Sequence, residues 1–158
     1  MENTPNPAQA DAATQEQFGI QNVYIKDISF ETPNSPQILM KEWKPQLEME
    51  ISNDIKKLQE DLYEVVLNIT ATVKVGEETA FLIEVHQAGI FVLKAFAQDK
   101  LSYMLQSYCP NILFPFAREL ISNIVTRGGF QPLILAPINF DALYAQHQQQ
   151  EGQKTPPN

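Results

Sequence analysis

The sequence predicts an α+β domain in which a four-stranded antiparallel sheet is packed on one face by a long helix and a shorter C-terminal helix. Two observations predict the sheet: four segments between residues 18 and 93 alternate apolar and polar side chains, and the last three are joined by short connections. A third predicts the helices, because after Lys100 charges become rare and apolar residues recur at helical spacing. We therefore expect one packed and one wetted sheet face.

The first predicted strand is Phe18–Phe30, and its alternation separates an apolar face from a face that carries acidic side chains. The faces consist of Phe18, Ile20, Tyr24, Ile28 and Phe30 on one side and Val23, Ile25, Asp27, Ser29 and Glu31 on the other. A long, proline-rich connection follows and holds Trp43 and the run Ile38-Leu39-Met40. Large apolar groups on such a connection either cover the core as a lid or form a binding surface.

The next three strands are predicted close together in the sequence. The second covers Leu47–Ile51, and the polar stretch Ser52–Asp61 is the predicted hairpin turn. The third, Tyr63–Val75, has the clearest alternation of the chain. Gly76-Glu77-Glu78 is predicted to make a tight turn into the fourth strand, Thr79–Leu93.

Two helices are predicted after the sheet, a short one at Asp99–Ser107 and a longer one at Pro110–Arg127 that Gly128-Gly129 terminates. The longer helix is apolar on more than one side, with Leu113, Phe116, Leu120 and Ile124 on one stripe and Ile112, Ile121 and Val125 away from its centre. Because the sheet can cover only one of these sides, we expect a second subunit to cover another.

The chain is predicted to end in a short helix and a tail. Asn139 or Asp141 is the expected N-cap of that helix. Residues 1–17 and 145–158 hold too little apolar mass to offset the entropy of ordering, so both are predicted to be disordered tails. The predicted folded domain is therefore 18–144.

The composition limits the functions that the chain can have. It has 158 residues and a net charge of −8, which argues against a nucleic acid partner and against binding to an anionic membrane surface. No secretion signal is expected in residues 1–17, and no stretch approaches the ~20 apolar residues of a membrane span, so no membrane insertion is expected. The single cysteine, Cys109, offers no internal disulfide, and a reducing cytoplasm is the expected location.

Candidate catalytic residues are few. Glu84 and His86 share a face of the fourth strand, so a small cleft enzyme that uses them as an acid–base pair stays an open alternative to a simple wetted surface. His147 lies in the Gln-rich tail, and Cys109 lies in an apolar stretch that is typical of a buried structural cysteine. Because no nucleotide-binding loop or metal pattern is recognised, we expect no catalytic residues, no cofactor and no metal.

A surface of acidic residues is predicted on the outer face of the sheet. Strand parity places there Asp27, Glu31, Glu48, Glu50, Glu64 and Glu84, with Leu82 as an exposed apolar residue among them. Such a face either keeps the protein soluble or docks a basic partner through complementary charge.

Six motifs of the sequence resemble, in the same order, those of the bacterial SecB protein-export chaperone family. They are Tyr24-Ile25-Lys26-Asp27-Ile28-Ser29-Phe30-Glu31, Tyr63-Glu64-Val65-Val66-Leu67, Gly76-Glu77-Glu78-Thr79-Ala80-Phe81-Leu82, Ala88-Gly89-Ile90-Phe91, Tyr108-Cys109-Pro110-Asn111-Ile112-Leu113-Phe114-Pro115 and Leu135-Ala136-Pro137-Ile138-Asn139-Phe140-Asp141-Ala142-Leu143. The resemblance spans nearly the whole domain and is loose only around residues 94–105.

The resemblance implies a homotetramer, assembled as a dimer of dimers, without enzymatic activity. Members of the family hold newly made precursor proteins unfolded without ATP and pass them to the translocase motor SecA, whose zinc-bearing basic tail docks on the chaperone. A SecB-like chaperone that serves an antitoxin or another non-exported client is the alternative within the same fold.

The resemblance also implies roles for particular residues. By position in the matching motifs, the SecA-docking residues are Asp27, Glu31, Leu82 and Glu84. Trp43 carries over as a loop residue that contacts the client. Tyr24, Phe30 and Phe140 are further client-binding candidates in our hypothesis, because they are aromatic residues that we expect near the groove, although core packing would explain them equally well.

Overall fold

The computed structural model describes residues 14–154, so residues 1–13 of the predicted N-terminal tail and residues 155–158 lie outside the described part. The chain forms, in order, β1 (Gln17–Glu31), a 3-10 turn (Gln37–Met40), β2 (Pro45–Gln59), β3 (Leu62–Val75), β4 (Glu78–Lys94), α1 (Gln98–Tyr103), a π-helical turn (Met104–Tyr108), α2 (Cys109–Arg127) and α3 (Phe140–Gln153).

The four strands form one antiparallel sheet in the order β1-β4-β3-β2, so β3 and β4 are central and β1 and β2 are the edges. α2 packs on β4 and β3. The side chains that meet there are fully buried and include Val65, Leu67, Ile69, Ile83 and Val85 from the sheet and Leu113, Ala117, Ile121 and Val125 from α2. The predicted fold class is confirmed. We call the sheet face that the helices leave uncovered the open face.

β2 is longer than the sequence pattern predicted. Its ladder with β3 continues to Gln59, so the predicted turn at Ser52–Asp61 is wrong. The turn is made by Glu60 and Asp61, and Asp61 adopts a left-handed conformation with φ 59°. β2 is an edge strand whose second half is exposed, and polar residues are tolerated on both sides of such a strand. The alternation that would have indicated a strand is therefore missing.

β1 contains two β-bulges that the sequence pattern does not predict. Its register with β4 shifts between Ile20 and Asn22 and again between Ile25 and Asp27. Each extra residue reverses the alternation of the strand, so the segment between the two bulges presents its side chains to the opposite faces.

The bulges change the predicted position of Tyr24. Residues paired directly across strands share a face, and Tyr24 pairs with Ala88 while Phe30 pairs with Ile83, whose side chain is in the core. Tyr24 therefore lies on the open face and Phe30 on the helix side, and the prediction that placed them on one face is wrong. Outside the bulged segment, the predicted faces of β1 hold.

α1, the π-helical turn and α2 follow one another without a break, where the sequence predicted two separate helices. Pro110 has no N–H to donate to the carbonyl of Gln106, one turn earlier. The side-chain Nδ2 of Asn53, on β2, donates to that carbonyl oxygen at 3.2 Å. Asn53 therefore gives the Gln106 carbonyl a donor that Pro110 does not supply.

The buried side of α2 is rotated relative to the predicted stripe. Ile121 and Val125, which were expected away from the centre, are fully buried, whereas Phe116 is 49% exposed. α2 thus keeps apolar surface on a side that no described element covers. Its cover by a second subunit stays a prediction.

α3 begins at the predicted cap, where Oδ1 of Asn139 accepts a hydrogen bond from the backbone N–H of Ala142 at 3.0 Å. The helix continues to Gln153, beyond the predicted end of the folded domain at Tyr144, and residues 145–153 are exposed. This segment, which its composition assigned to a disordered tail, is helical here, and Gln and Ala are good helix formers.

Candidate functional site

Four aromatic rings form a cluster near the C-terminal end of α2, which we call the aromatic cluster. The ring of Trp43 lies 5.6 Å from that of Phe130, Phe130 lies 5.0 Å from Phe81, and Phe81 lies 6.0 Å from Phe30. These are the spacings of interacting aromatic pairs, about 4.5–7 Å. The sequence predicted Trp43 and Phe30 for this region and missed the two rings that join them.

The connection that carries Trp43 is fixed to the rest of the domain by a buried side chain and by a hydrogen bond. Ile38, in the 3-10 turn, is buried, and the side-chain Nδ2 of Asn34 donates to the backbone oxygen of Thr79 at 2.9 Å. Leu39 and Met40, in the same turn, are exposed. The run Ile38-Leu39-Met40 is therefore both a core anchor and an exposed apolar surface.

Two cavities of about 270 and 180 Å³ are both lined by Trp43. The larger is lined by Trp43, Pro45, Leu47, Val73, Phe81, Gln131, Pro132 and Leu133, and the smaller by Ile38, Leu39, Lys41, Trp43, Gly129, Phe130 and Gln131. The wall of the larger cavity is mainly apolar and that of the smaller one is mixed, and Lys41 is the only charged residue that lines either one. The larger cavity suits an apolar side chain of a ligand.

The helix side of β2 continues this apolar surface. Because α2 packs on β3 and β4, the side chains of Leu47, Met49 and Ile55 on β2 remain exposed. As an edge strand, β2 also has backbone groups that no neighbouring strand of the sheet pairs. We call the aromatic cluster together with this uncovered side of β2 the apolar groove.

Two of the predicted client-binding residues lie outside the apolar groove. Tyr24 is on the open face, for the reason given above. Phe140 is 3% exposed and packs on Phe114, with ring centroids 6.0 Å apart, at the start of α3. In this chain Phe140 is a core residue, so only Trp43 and Phe30 of the predicted set meet in the groove. The client-binding role of all four stays a prediction.

The four predicted docking residues lie together on the open face. Glu31 pairs with Leu82 and Asp27 pairs with His86 across the β1–β4 ladder, and Glu84 lies between these two rows on β4. The three acidic residues are exposed, whereas Leu82, which was expected to be exposed, is partly buried. The predicted common surface is thus present, and its docking role stays a prediction.

Glu64 differs from the other carboxylates of the open face because it already has partners. The Nζ of Lys26 lies 2.7 Å from its Oε1, and the Tyr24 hydroxyl donates to its Oε2. The Lys26 ammonium, and after it the Tyr24 hydroxyl, hold the pKa of Glu64 below its usual range. Burial, and after it the Glu64 carboxylate, raise the pKa of Tyr24 to about 12. Glu64 is therefore neutralised locally and unavailable to a basic partner.

Glu84 and His86 form the pair that the sequence offered to an enzyme, with Nε2 of His86 2.8 Å from Oε1 of Glu84. The pair lies on the open face, and the two cavities beside Trp43 are lined by other residues. Within residues 14–154, no three His, Cys, Asp or Glu side chains are grouped closely enough to hold a metal ion. Within the same range, no helix is both long and apolar enough to cross a membrane.

An apolar groove on the helix side of a sheet and carboxylates on its open face offer two separate surfaces for contacts with other proteins. The sequence model of the family described as "SecB: Preprotein translocase subunit SecB" matches residues 11–151. The chain therefore belongs to the SecB family, a family of protein-export chaperones, and the resemblance that its motifs indicated is confirmed.

Close relatives support the same assignment. A protein from Nitrosococcus oceani named "Protein-export protein SecB" is 55% identical over 151 residues, which cover 94% of this chain and 92% of that protein. A protein of the same name from Methylococcus capsulatus is 52% identical over 141 residues, covering 89% of this chain and 91% of its own.

A solved structure shares the fold at low sequence identity. The Mycobacterium tuberculosis SecB-like chaperone, in complex with a ChAD peptide from an antitoxin, matches with a TM-score of 0.65 and 12% identity. The match covers 77% of this chain and 90% of that one. At this identity the likeness supports the fold and nothing further.

Proposed function

We propose that the protein is an ATP-independent holdase that keeps precursor proteins unfolded in the cytoplasm and delivers them to the SecA motor. The observation that carries the proposal is the apolar groove, because it offers aromatic walls and a free strand edge to a chain that has not folded. An extended client can place apolar side chains in the cavities beside Trp43 and pair its backbone with β2.

The affinity of the groove for a client follows from the apolar area that is buried. Each Å² removed from water contributes roughly 25 cal/mol, and the client loses part of this gain because it must be ordered. Binding of this kind needs no sequence motif. It therefore suits a chaperone whose clients share only the exposure of apolar side chains.

We also propose that the protein assembles as a homotetramer, a dimer of dimers. Exposed apolar side chains on the helix side of β1, such as Ile20 and Ile25, and Phe116 on α2 support it. Four linked grooves would bind one long client more tightly than one groove, because each further contact becomes intramolecular. The proposed mechanism uses no enzymatic step and no cofactor.

The open face is the proposed docking surface for SecA. Asp27, Glu31 and Glu84 share the open face with Leu82, which pairs with Glu31, so a basic partner would find complementary charge beside a small apolar contact. Docking on this face would leave the groove free, because the two surfaces are on opposite sides of the sheet. Precursors are the client class we favour over antitoxins, since the relatives at 52–55% identity carry the name of protein export.

The single tryptophan of the chain provides the test, because Trp43 is in the groove and is the only Trp in the sequence. Titration with an unfolded, tryptophan-free precursor, without nucleotide, should shift the Trp43 emission to the blue as the ring is removed from water. The shift should saturate together with complex formation measured by light scattering. Complex formation without any change in Trp43 emission would contradict the proposed site.

A further inference from the structure

The sulfur-containing side chains of the chain divide into two groups by their exposure. The sequence has four methionines and one cysteine, and Met1 lies outside the described residues. Met40 is 87% exposed and Met49 is 38% exposed, whereas Met104 is 8% exposed and Cys109 is fully buried. In the described part of the chain, a small oxidant in the solvent therefore reaches Met40 and Met49 and is kept from the other two.

Met49 lies in the apolar groove. It pairs with Ala71 across the β2–β3 ladder, and the side chain of Ala71 is in the core, so Met49 is on the helix side of the sheet. Leu47, two residues earlier on the same side of β2, lines the larger cavity together with Trp43. A client that fills this cavity and pairs with β2 would therefore pass directly over Met49.

Met40 lies next to the smaller cavity. It belongs to the 3-10 turn, and its two neighbours in the sequence, Leu39 and Lys41, both line that cavity. Trp43 lines both cavities, so the two exposed methionines lie along the chain on either side of it. The accessible sulfur of the described residues is thus concentrated at the proposed client site.

Methionine has two properties that matter at such a site. Its side chain is unbranched, flexible and polarizable, so it can repack against apolar groups of many shapes. Oxidation of its sulfur gives methionine sulfoxide, which is polar and chiral and disrupts apolar contacts. The same atom that lets the groove accept different clients therefore also exposes it to oxidation.

We propose that Met40 and Met49 form a reversible oxidation site, at which hydrogen peroxide produces methionine sulfoxide and thereby lowers the affinity of the apolar groove for unfolded clients. The proposal rests on the proposed holdase function, because it assigns a form of regulation to the same site.

The chemical step needs only the thioether and the peroxide. The sulfur attacks one peroxide oxygen, the O–O bond breaks and an S–O bond forms. The sulfur loses two electrons, and the peroxide is reduced to one molecule of water. Methionine sulfoxide reductases reverse the step, in which two thiols become a disulfide and the oxygen leaves as water.

Cys109 does not compete for the peroxide in the folded chain. The thiolate is the reactive form of cysteine, and its oxidation requires exposure. Cys109 is fully buried, and burial raises its pKa to about 12. At neutral pH this thiol is therefore protonated and shielded, so the methionines are oxidised first.

The test compares the full chain before and after treatment with hydrogen peroxide, which catalase then removes. The probe is a fluorescein-labelled unfolded peptide that is rich in Phe and Leu and contains no Met, Cys or Trp, and its anisotropy gives the Kd. Peptide mapping by mass spectrometry reports the oxygen added to each methionine. Slow alkylation of the buried Cys109 verifies that the treated protein is still folded.

We expect one added oxygen at Met40 and one at Met49, none at Met104, and a Kd about fivefold higher after treatment, because the sulfoxides forfeit apolar contact with the probe. Treatment with both classes of methionine sulfoxide reductase and dithiothreitol should restore the Kd.

The control is the double variant Met40→Leu/Met49→Leu, which keeps apolar side chains of similar volume without an oxidisable sulfur. Its Kd after treatment, divided by its Kd before, should be about one, and this ratio cancels any change in the basal affinity. Met49→Gln is an independent variant, since it introduces a polar side chain of similar length on an exposed position. Without peroxide it should bind the probe about threefold more weakly than the native protein.

The outcomes distinguish this inference from the holdase proposal. Complete oxidation of Met40 and Met49 with an unchanged Kd would refute the inference and leave the holdase proposal intact. Resistance of both side chains to peroxide, or an equal rise of the Kd in the double variant, would refute it as well. Absence of probe binding by the untreated native protein would instead refute the apolar groove as a client site.

Discussion

Charge reversal at Glu84 separates docking from folding and from client binding. The side chain of Glu84 is 49% exposed, and its only described partner is His86, itself partly exposed on the open face. Glu84→Lys should therefore leave the core and the apolar groove unchanged. It should weaken the proposed complex with SecA, because a lysine would then face the basic tail that the SecB resemblance implies for that partner.

The expected size of this effect follows from the exposure of Glu84. A pair between exposed charges contributes about 0.5–1 kcal/mol, and the repulsion from an introduced lysine is of similar size. The sum is about 1.5 kcal/mol, or about tenfold in Kd. Glu84→Gln removes only the attraction and should cost about threefold. Both effects should shrink at high salt, where charges more than about 3 Å apart in water are screened.

Isothermal titration of each variant with purified SecA measures the effect, with holding of an unfolded client as a second readout. Glu60→Lys is the control, because Glu60 is an exposed glutamate in the β2–β3 turn, at the other end of the sheet. Equal losses in Glu84→Lys and Glu60→Lys would show that net charge alone governs the complex. The open face would then not be the docking surface.

Three further predictions concern the folded chain. Gly128→Ala should lower the free energy of unfolding by about 1–3 kcal/mol in urea, because an added Cβ would lie 2.5 Å from the Phe30 ring; an unchanged midpoint would contradict the packing. Asn53→Ala should lower the free energy of unfolding by about 1–2 kcal/mol, because the carbonyl of Gln106 loses the Asn53 side-chain donor. The control Ser52→Ala, on the open face, should lower it by less than about 0.5 kcal/mol. Burial raises the pKa of Cys109 to about 12, so the native thiol should resist alkylation at pH 8 and react on unfolding. Fast alkylation of the native protein would refute the burial of this thiol. Because the thiol is protonated in the folded state, the free energy of unfolding should fall as the pH rises above about 8.5, the pKa of the thiol in the unfolded chain.

The elements that the sequence predicted well are those whose pattern reflects one buried face. β3 alternates apart from Val66 because one side packs on α2 and the other is open, and its bounds were predicted within one residue. β2 was predicted at less than half its length, because an exposed edge strand needs no alternation. The pattern of hydrophobicity reports burial, and it identifies a strand only where burial is one-sided.

The candidate sites were predictable to the extent that they follow from strand parity. Asp27, Glu31 and Glu84 share the open face as predicted, because neither bulge of β1 lies between Asp27 and Glu31. Tyr24 was misplaced because a bulge reverses parity without a local sequence signal. Phe130 was missed because its contact with Trp43 joins segments more than eighty residues apart, which no periodicity reports.

Client binding in the apolar groove is the central proposal, and Trp43 is the most direct probe of it. The Trp43 ring is mostly packed on its neighbours. Of the about 200 Å² of surface that such a ring can bury, roughly 60 Å² is left for contact with the client. At about 25 cal/mol per Å², this area contributes about 1.5 kcal/mol for each groove, or about tenfold in affinity. Leu143→Ala, which removes an exposed apolar side chain of α3, is the control.

The measurement is light scattering of a slowly folding precursor diluted from denaturant, without nucleotide, in the presence of the native protein, Trp43→Ala or Leu143→Ala. We expect the native protein and Leu143→Ala to suppress aggregation at one proposed tetramer per precursor, and Trp43→Ala to need at least about ten times more protein for the same suppression. Aggregation that the native protein leaves unchanged would contradict the holdase function, and equal suppression by all three proteins would contradict the groove.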